Sequence, residues 1–113
     1  MVDKSSETIA EKIAKAATDK KGQDISILDF RNFNTITDFF IIVSGNTKRQ
    51  VDVIADNVIK ELKKELKPLG IEGKSGDWVL IDFGDIIVHV MTHDMREYYQ
   101  IERLWKDIPT LGV

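Results

Sequence analysis

The chain has 113 residues, 42% of them hydrophobic, no cysteine and a formal charge of −3. That length is one domain, residues 1–113, with enough apolar residues to fold alone but little core to spare. The lack of cysteine excludes disulfides and thiolate metal sites and suits a reducing compartment. The opening MVDKSSETIAEK has no apolar signal core, and no apolar run nears the ~20 residues that span a bilayer, so a cytoplasmic protein without a membrane contact is expected.

In chain order, residues 6–21 read as a helix. Ser5 or Ser6 can cap it, Ile9, Ala10, Ile13, Ala14 and Ala17 form an apolar stripe, and Gly22 stops it. Ile25, Ile27 and Phe30 alternate as in a half-buried strand, and Asn32 to Asn34 is a turn. Phe39 to Val43 is a short continuous apolar run, which predicts a central strand. Ser44-Gly45-Asn46 breaks it. Thr47-Lys48-Arg49-Gln50 then matches a capping box, with Val51, Ile54, Ala55, Val58, Leu62 and Leu66 on one helical face, ended by Pro68 and Gly70.

Trp78 to Phe83 and Ile86 to Met91 read as two strands of a hairpin, with Gly84 in a left-handed position. Asp94-x-x-Glu97 resembles a cap for a last helix, on which Tyr98, Ile101, Leu104, Trp105 and Ile108 share a face and Met95 and Tyr99 point elsewhere. The expected fold is α/β, a single mixed β-sheet flanked by helices in the order α-β-β-α-β-β-α.

Charge is uneven along this order. Residues 1–70 carry 12 Lys/Arg against 11 Asp/Glu, whereas residues 71–113 carry 4 against 8. The acidic second part is poorly suited to pairing with phosphates and better suited to a basic protein surface. It also holds both tryptophans, both tyrosines, Arg96 and Arg103 within residues 78–105. Trp, Tyr and Arg are the side chains that most often anchor protein contacts. On the helix, Tyr98 and Trp105 read as core; Met95 and Tyr99 do not, and Trp78 fits either role.

No cofactor, metal or catalytic pattern stands out. Gly73-Lys74-Ser75 shares letters with a phosphate-binding loop, but Pro68 stands at the first glycine and the segment leaves a helix instead of opening one. Asp82-Phe83-Gly84 is explained by a hairpin turn. His89 and His93 sit in and at the end of a strand, without the further ligands a metal needs. Lys48 and Arg49 stand in a first helical turn, where positive charge opposes the helix dipole by a few tenths of a kcal/mol (roughly). They are a solvated pair or a contact for an acidic group or phosphate. The lysines of residues 60–67 are interleaved with Glu61 and Glu65, as on a solvated helix face, so direct nucleic-acid binding is not expected as the main source of affinity.

Two stretches, TDFFIIVSGNTKRQVDVIADNV and EGKSGDWVLIDFGDIIVHVMTHDMREYYQIERLW, closely resemble the ribosomal silencing factor family, also called the Iojap family. The resemblance runs from about Ile9 to Asp107. It is carried by Ser44-Gly45 followed by Arg49-Gln50, Asp56, Glu72-Gly73, Trp78-x-Leu80-x-Asp82, Gly84-Asp85, Val88-His89-Val90, Arg96-Glu97, Tyr99 and Glu102-Arg103-Leu104-Trp105. Thr47 stands where a serine is frequent and Gln100 where the family often has Asp.

The resemblance implies a nucleotidyltransferase-like fold without catalytic residues. It also implies binding to the large ribosomal subunit through its fourteenth protein, a basic partner, which blocks joining of the small subunit when nutrients are scarce. Free members can be homodimers. Trp78, Leu80, Asp82, His89, Met95, Arg96, Glu97 and Tyr99 are the expected partner-binding patch. The alternative is a small metal-dependent nucleotidyltransferase using Ser44, Asp82 and Asp85. Such an enzyme needs two carboxylates converging on a metal, commonly two apart on one strand face, whereas Asp82 and Asp85 are three apart across a turn.

Overall fold

A computed structural model describes residues 2–33, 35 and 37–112, with side chains from Ser6 onward. The elements are α1 (Val2–Asp19), β1 (Gln23–Asp29), β2 (Phe39–Gly45), α2 (Lys48–Glu61), β3 (Gly70–Glu72), β4 (Trp78–Asp82), β5 (Ile86–Thr92), α3 (His93–Tyr99), a short 3-10 helix (Ile101–Trp105) and β6 (Thr110–Leu111). The strands form one sheet in the order β3-β4-β5-β2-β1-β6. β2 and β5 pair in parallel, and the remaining pairs are antiparallel. The expected mixed sheet with flanking helices is present, and its longer elements follow the expected order. β3 and β6 have only three and two residues, too few for alternation to mark them.

The core lies mainly between the sheet and the α1–α2 layer. Ala10, Ile13, Ala14 and Ala17 of α1 and Val51, Ile54, Ala55 and Val58 of α2 pack on Phe39, Ile41 and Val43 of β2 and Val88 and Val90 of β5. The opposite sheet face carries a smaller cluster of Leu28, Phe30, Ile42 and Met91. β2 is therefore covered on both faces, which is why its sequence is continuously apolar. Phe30 differs from the expectation: it belongs to the second cluster, not to the face of Ile25 and Ile27.

The capping box forms with one difference. Thr47 Oγ1 accepts from the Gln50 N–H at 3.1 Å, but Gln50 Oε1 reaches the N–H of Asn46, not of Thr47. Gln50 Nε2 also donates to the Lys21 carbonyl at 3.1 Å, joining the start of α2 to the end of α1.

Helix limits depart from the sequence reading. α1 begins at Val2, before Ser6, whose buried hydroxyl donates to Asp38 at 3.3 Å instead of capping. The Ser5 side chain and Asn34 lie outside the described residues. At the end of α1 the left-handed residue is Lys21 (φ 66°), not Gly22. Glycine is needed there for space, because a Cβ would meet Val43 Cγ1 at 2.7 Å and Ala17 O at 2.9 Å. α2 ends at Glu61, seven residues before Pro68, and hydrogen-bonded turns carry the chain to Leu66. Gly84 does take a positive φ, +93°.

The largest correction concerns the last helix. Thr92 caps α3, its Oγ1 accepting from the Met95 N–H at 3.3 Å; Asp94 does not. Gln100 then turns left-handed (φ 45°) and splits the segment into α3 and the 3-10 helix. A wheel drawn across that break is invalid. Tyr98 is 78% exposed and Leu104 74%, although both were expected on the buried face. Met95, expected to point away, packs on the second cluster with Ile101, Trp105 and Ile108.

Candidate functional site

Strand register assembles one face. Trp78, Leu80 and Asp82 on β4 stand opposite Met91, His89 and Ile87 on β5. Those residues stand beside Ser44, Ile42 and Phe40 on β2. Side chains at alternate strand positions share a face, so all nine look away from α1 and α2. α3 and the 3-10 helix cover only part of this face. Leu80 and Asp82 remain partly open.

Arg96 fastens that cover. Its Nε donates to Glu102 Oε1 at 3.0 Å and its Nη2 to Glu102 Oε2 at 2.7 Å, a two-pronged pair that bridges the Gln100 break. Nη1 donates to the fully buried Ser44 hydroxyl at 2.8 Å, and Nη2 also reaches Ser26 at 3.4 Å. The Arg96 side chain is 11% exposed. Its hydrogen bond to Glu102 is the main cause holding that carboxyl below the usual glutamate range, against the opposing effect of burial. The fork of Arg96 is thus engaged within the chain.

Next to it, the Trp78 indole N–H donates to His89 Nδ1 at 3.1 Å. Burial lowers the His89 pKa from 6.5 to about 4, so the ring is neutral at physiological pH. Rings then follow one another across the face. Phe40 lies 5.2 Å from His89, His89 5.8 Å from Trp78, Trp78 5.3 Å from Tyr99, and Tyr99 4.9 Å from Tyr98. The series leads from the core to solvent, where Tyr99 is 52% exposed.

The remaining expected site residues separate by environment. Asp82 Oδ1 accepts from the Gly84 N–H at 2.8 Å and so braces the hairpin turn. Glu97 is exposed, and Met95 is half-buried beneath α3. Lys48 pairs with Asp77 at 3.4 Å, while Arg49 stands exposed beside it on α2. Sequence reasoning missed Tyr98 as a surface residue and Ser44, Ser26 and Glu102 as partners of Arg96. Thr92, three residues before Met95, was the available sign that the helix starts earlier.

The alternative catalytic group is not assembled. Asp82 is level with Phe40 across the sheet, four residues along β2 from Ser44, or ~13 Å at the usual strand rise. Ser44 is occupied by Arg96. Among the described residues no three His, Asp or Glu side chains gather as a metal site. Among the described residues no helix is long and apolar enough to cross a membrane.

Fold and face together define a small three-layer α/β domain with an aromatic surface, in which the described residues gather no three-ligand metal site. Residues 3–112 match the family described as "Ribosomal silencing factor during starvation". The ribosomal silencing factor of Halalkalibacterium halodurans is 40% identical, with 95% of this chain and 93% of that protein covered. Mouse "Mitochondrial assembly of ribosomal large subunit protein 1" is 33% identical over 76% of this chain and 40% of its own length. A crystal structure of a Chromobacterium violaceum protein superposes with a TM-score of 0.84 at 39% identity, covering 88% of this chain and 85% of the other. The chain belongs to the ribosomal silencing factor family.

Proposed function

We propose that this chain silences ribosomes by occupying space. It binds the large ribosomal subunit in the cytoplasm through that subunit's fourteenth protein, a basic partner, and denies the small subunit its docking surface when nutrients are scarce. The observation that carries this reading is the ring series from Trp78 through Tyr99 to Tyr98, which opens to solvent beside Leu80. Asp77, Asp94, Met95 and Tyr98 border a shallow depression there, and Glu97 is exposed close by. Aromatic anchors supply affinity at an interface core, while surrounding carboxylates speed encounter with a basic surface and make it salt-dependent. Lys48 is paired with Asp77 at the margin of this patch, and Arg49 is the more available cation. No covalent step is required, so no catalytic residue, metal or cofactor enters. The same face is available for self-association when the chain is free. The family resemblance and the mouse relative's name, which refers to assembly of a large subunit, support the choice of partner.

Sedimentation with isolated large and small subunits tests the proposal, together with a subunit-joining assay. Binding to large subunits only, with joining inhibited, is expected. Failure to sediment with large subunits, or binding that leaves joining unchanged, refutes it.

A further inference from the structure

The interleaved charges of residues 60–67 are not neutralised as their spacing suggests. Glu65 turns away to the Lys12 ammonium on α1. Lys60, Lys63, Lys64 and Lys67 are all exposed, and none closes an ion pair among the described residues. The spacing of Lys60, Lys63 and Lys64 places them on one side of a helical path, and Lys67 follows just past its last hydrogen-bonded turn. That path continues past Glu61, because Lys63 N–H bonds to Lys60 O and Leu66 N–H to Leu62 O. Leu62 is buried and Leu66 packs on the core, so the apolar side turns inward and the lysines outward.

We propose that this lysine face is a second contact surface, for the phosphate backbone of RNA. It rests on the ribosome-binding reading above and adds to it a contact made by the opposite layer of the domain. α2 packs on the sheet face away from Trp78 and Tyr99, so the two surfaces do not compete. The molecule is 23 Å across its thinnest axis, so RNA flanking a bound protein lies within reach of both. Four exposed ammonium groups, interleaved with Glu61 and with a Glu65 already paired to Lys12, suit a polyanion, whose condensed counterions are released on contact. A membrane is the poorer fit, because the exposed apolar side chains that follow the lysines, Leu69 and Ile71, lie beyond Pro68 at β3 and do not form the apolar helix face that enters a lipid interface.

The test is the salt dependence of binding to isolated large subunits. The variant K60Q/K63Q/K64Q/K67Q should lose about three units of the slope of log K against log salt, since each phosphate contact contributes somewhat under one. Its affinity at moderate salt should fall at least about tenfold. The corresponding four-arginine variant should restore both. An unchanged slope in the glutamine variant, with the parent still binding, overturns the RNA contact and leaves the proposed function standing. If the parent does not bind large subunits, both fall. Binding of the parent to phosphatidylglycerol vesicles, lost in the glutamine variant while the subunit slope is unchanged, makes the face a lipid contact and likewise overturns the proposal.

Discussion

Trp78 and His89 form a diagonal pair across β4 and β5, with the indole N–H donating to Nδ1 at 3.1 Å. A neutral imidazole that accepts at Nδ1 carries its proton on Nε2. Protonation makes both nitrogens donors, so a charged His89 cannot accept from Trp78. The pair works only while His89 is neutral, and burial holds it so by lowering its pKa to about 4.

This sets a pH dependence. The folded value lies below the ordinary 6.5, so the unfolded chain binds the extra proton first. Stability from neutral His89 is complete above pH 6.5 and is lost as pH falls towards 4, by up to about 3 kcal/mol. Urea unfolding at pH 7, 6, 5 and 4.5 should show this decline. His89→Gln keeps an acceptor without a titrating group and should flatten it. An equal decline in H89Q would exclude His89 as its source. The lowered carboxyls of Asp29, Asp52 and Glu102 act further into acid, below the usual carboxylate range.

Arg96→Ala should destabilise the fold by roughly 2–4 kcal/mol, because it leaves Glu102 and the buried Ser44 hydroxyl without their partner. Hydrogen exchange should rise in residues 93–105 before it rises in β2. Arg96→Lys keeps the charge but not the fork, and should recover only part of the loss. Exchange that rises uniformly across the chain would argue against a local clamp.

Tyr98 and Tyr99 separate stability from binding. Tyr98→Ala removes a side chain that is 78% exposed and should change unfolding free energy by under about 0.5 kcal/mol. Tyr99→Ala also breaks the contact with Trp78 and should cost about 1 kcal/mol. Both should weaken large-subunit binding about tenfold or more. Full affinity in Y98A and Y99A would remove the ring series from the interface.

Two glycines in one segment should respond differently. A Cβ at Gly73 would meet the Trp78 carbonyl oxygen at 2.1 Å, and φ there is +83°. At Gly70 nothing lies within 4 Å and φ is not positive. Gly73→Ala should therefore cost at least about 2 kcal/mol, whereas Gly70→Ala should be neutral or stabilise by up to about 1 kcal/mol. Thermal unfolding of the two variants provides the comparison.

Gln100→Gly should stabilise the domain by about 0.5 kcal/mol, since a left-handed residue after a helix favours glycine. A loss of stability in Q100G would show that the Gln100 side chain, which accepts from Arg103 at 2.8 Å, matters more than its backbone strain.

What the residues alone specify is what repeats over short distance. The face of α2 from Val51 to Leu62, the apolar run of β2 and the positive φ of Gly84 follow from local spacing and steric allowance. The ordered motifs from Ser44 to Trp105 were enough to indicate the family. The split of the last helix was not legible, because glutamine is not a residue type that signals a left-handed turn. Nor were the partners of Arg96, which stand 52 and 70 residues away in sequence on β2 and β1. Periodicity reports which side of an element is apolar, but only strand register decides which side chains from distant strands share a face. Once Arg96 docks on Ser44 and the chain breaks at Gln100, Ile101, Leu104 and Trp105 no longer continue the wheel of α3, and Met95 packs inward while Tyr98 stands exposed.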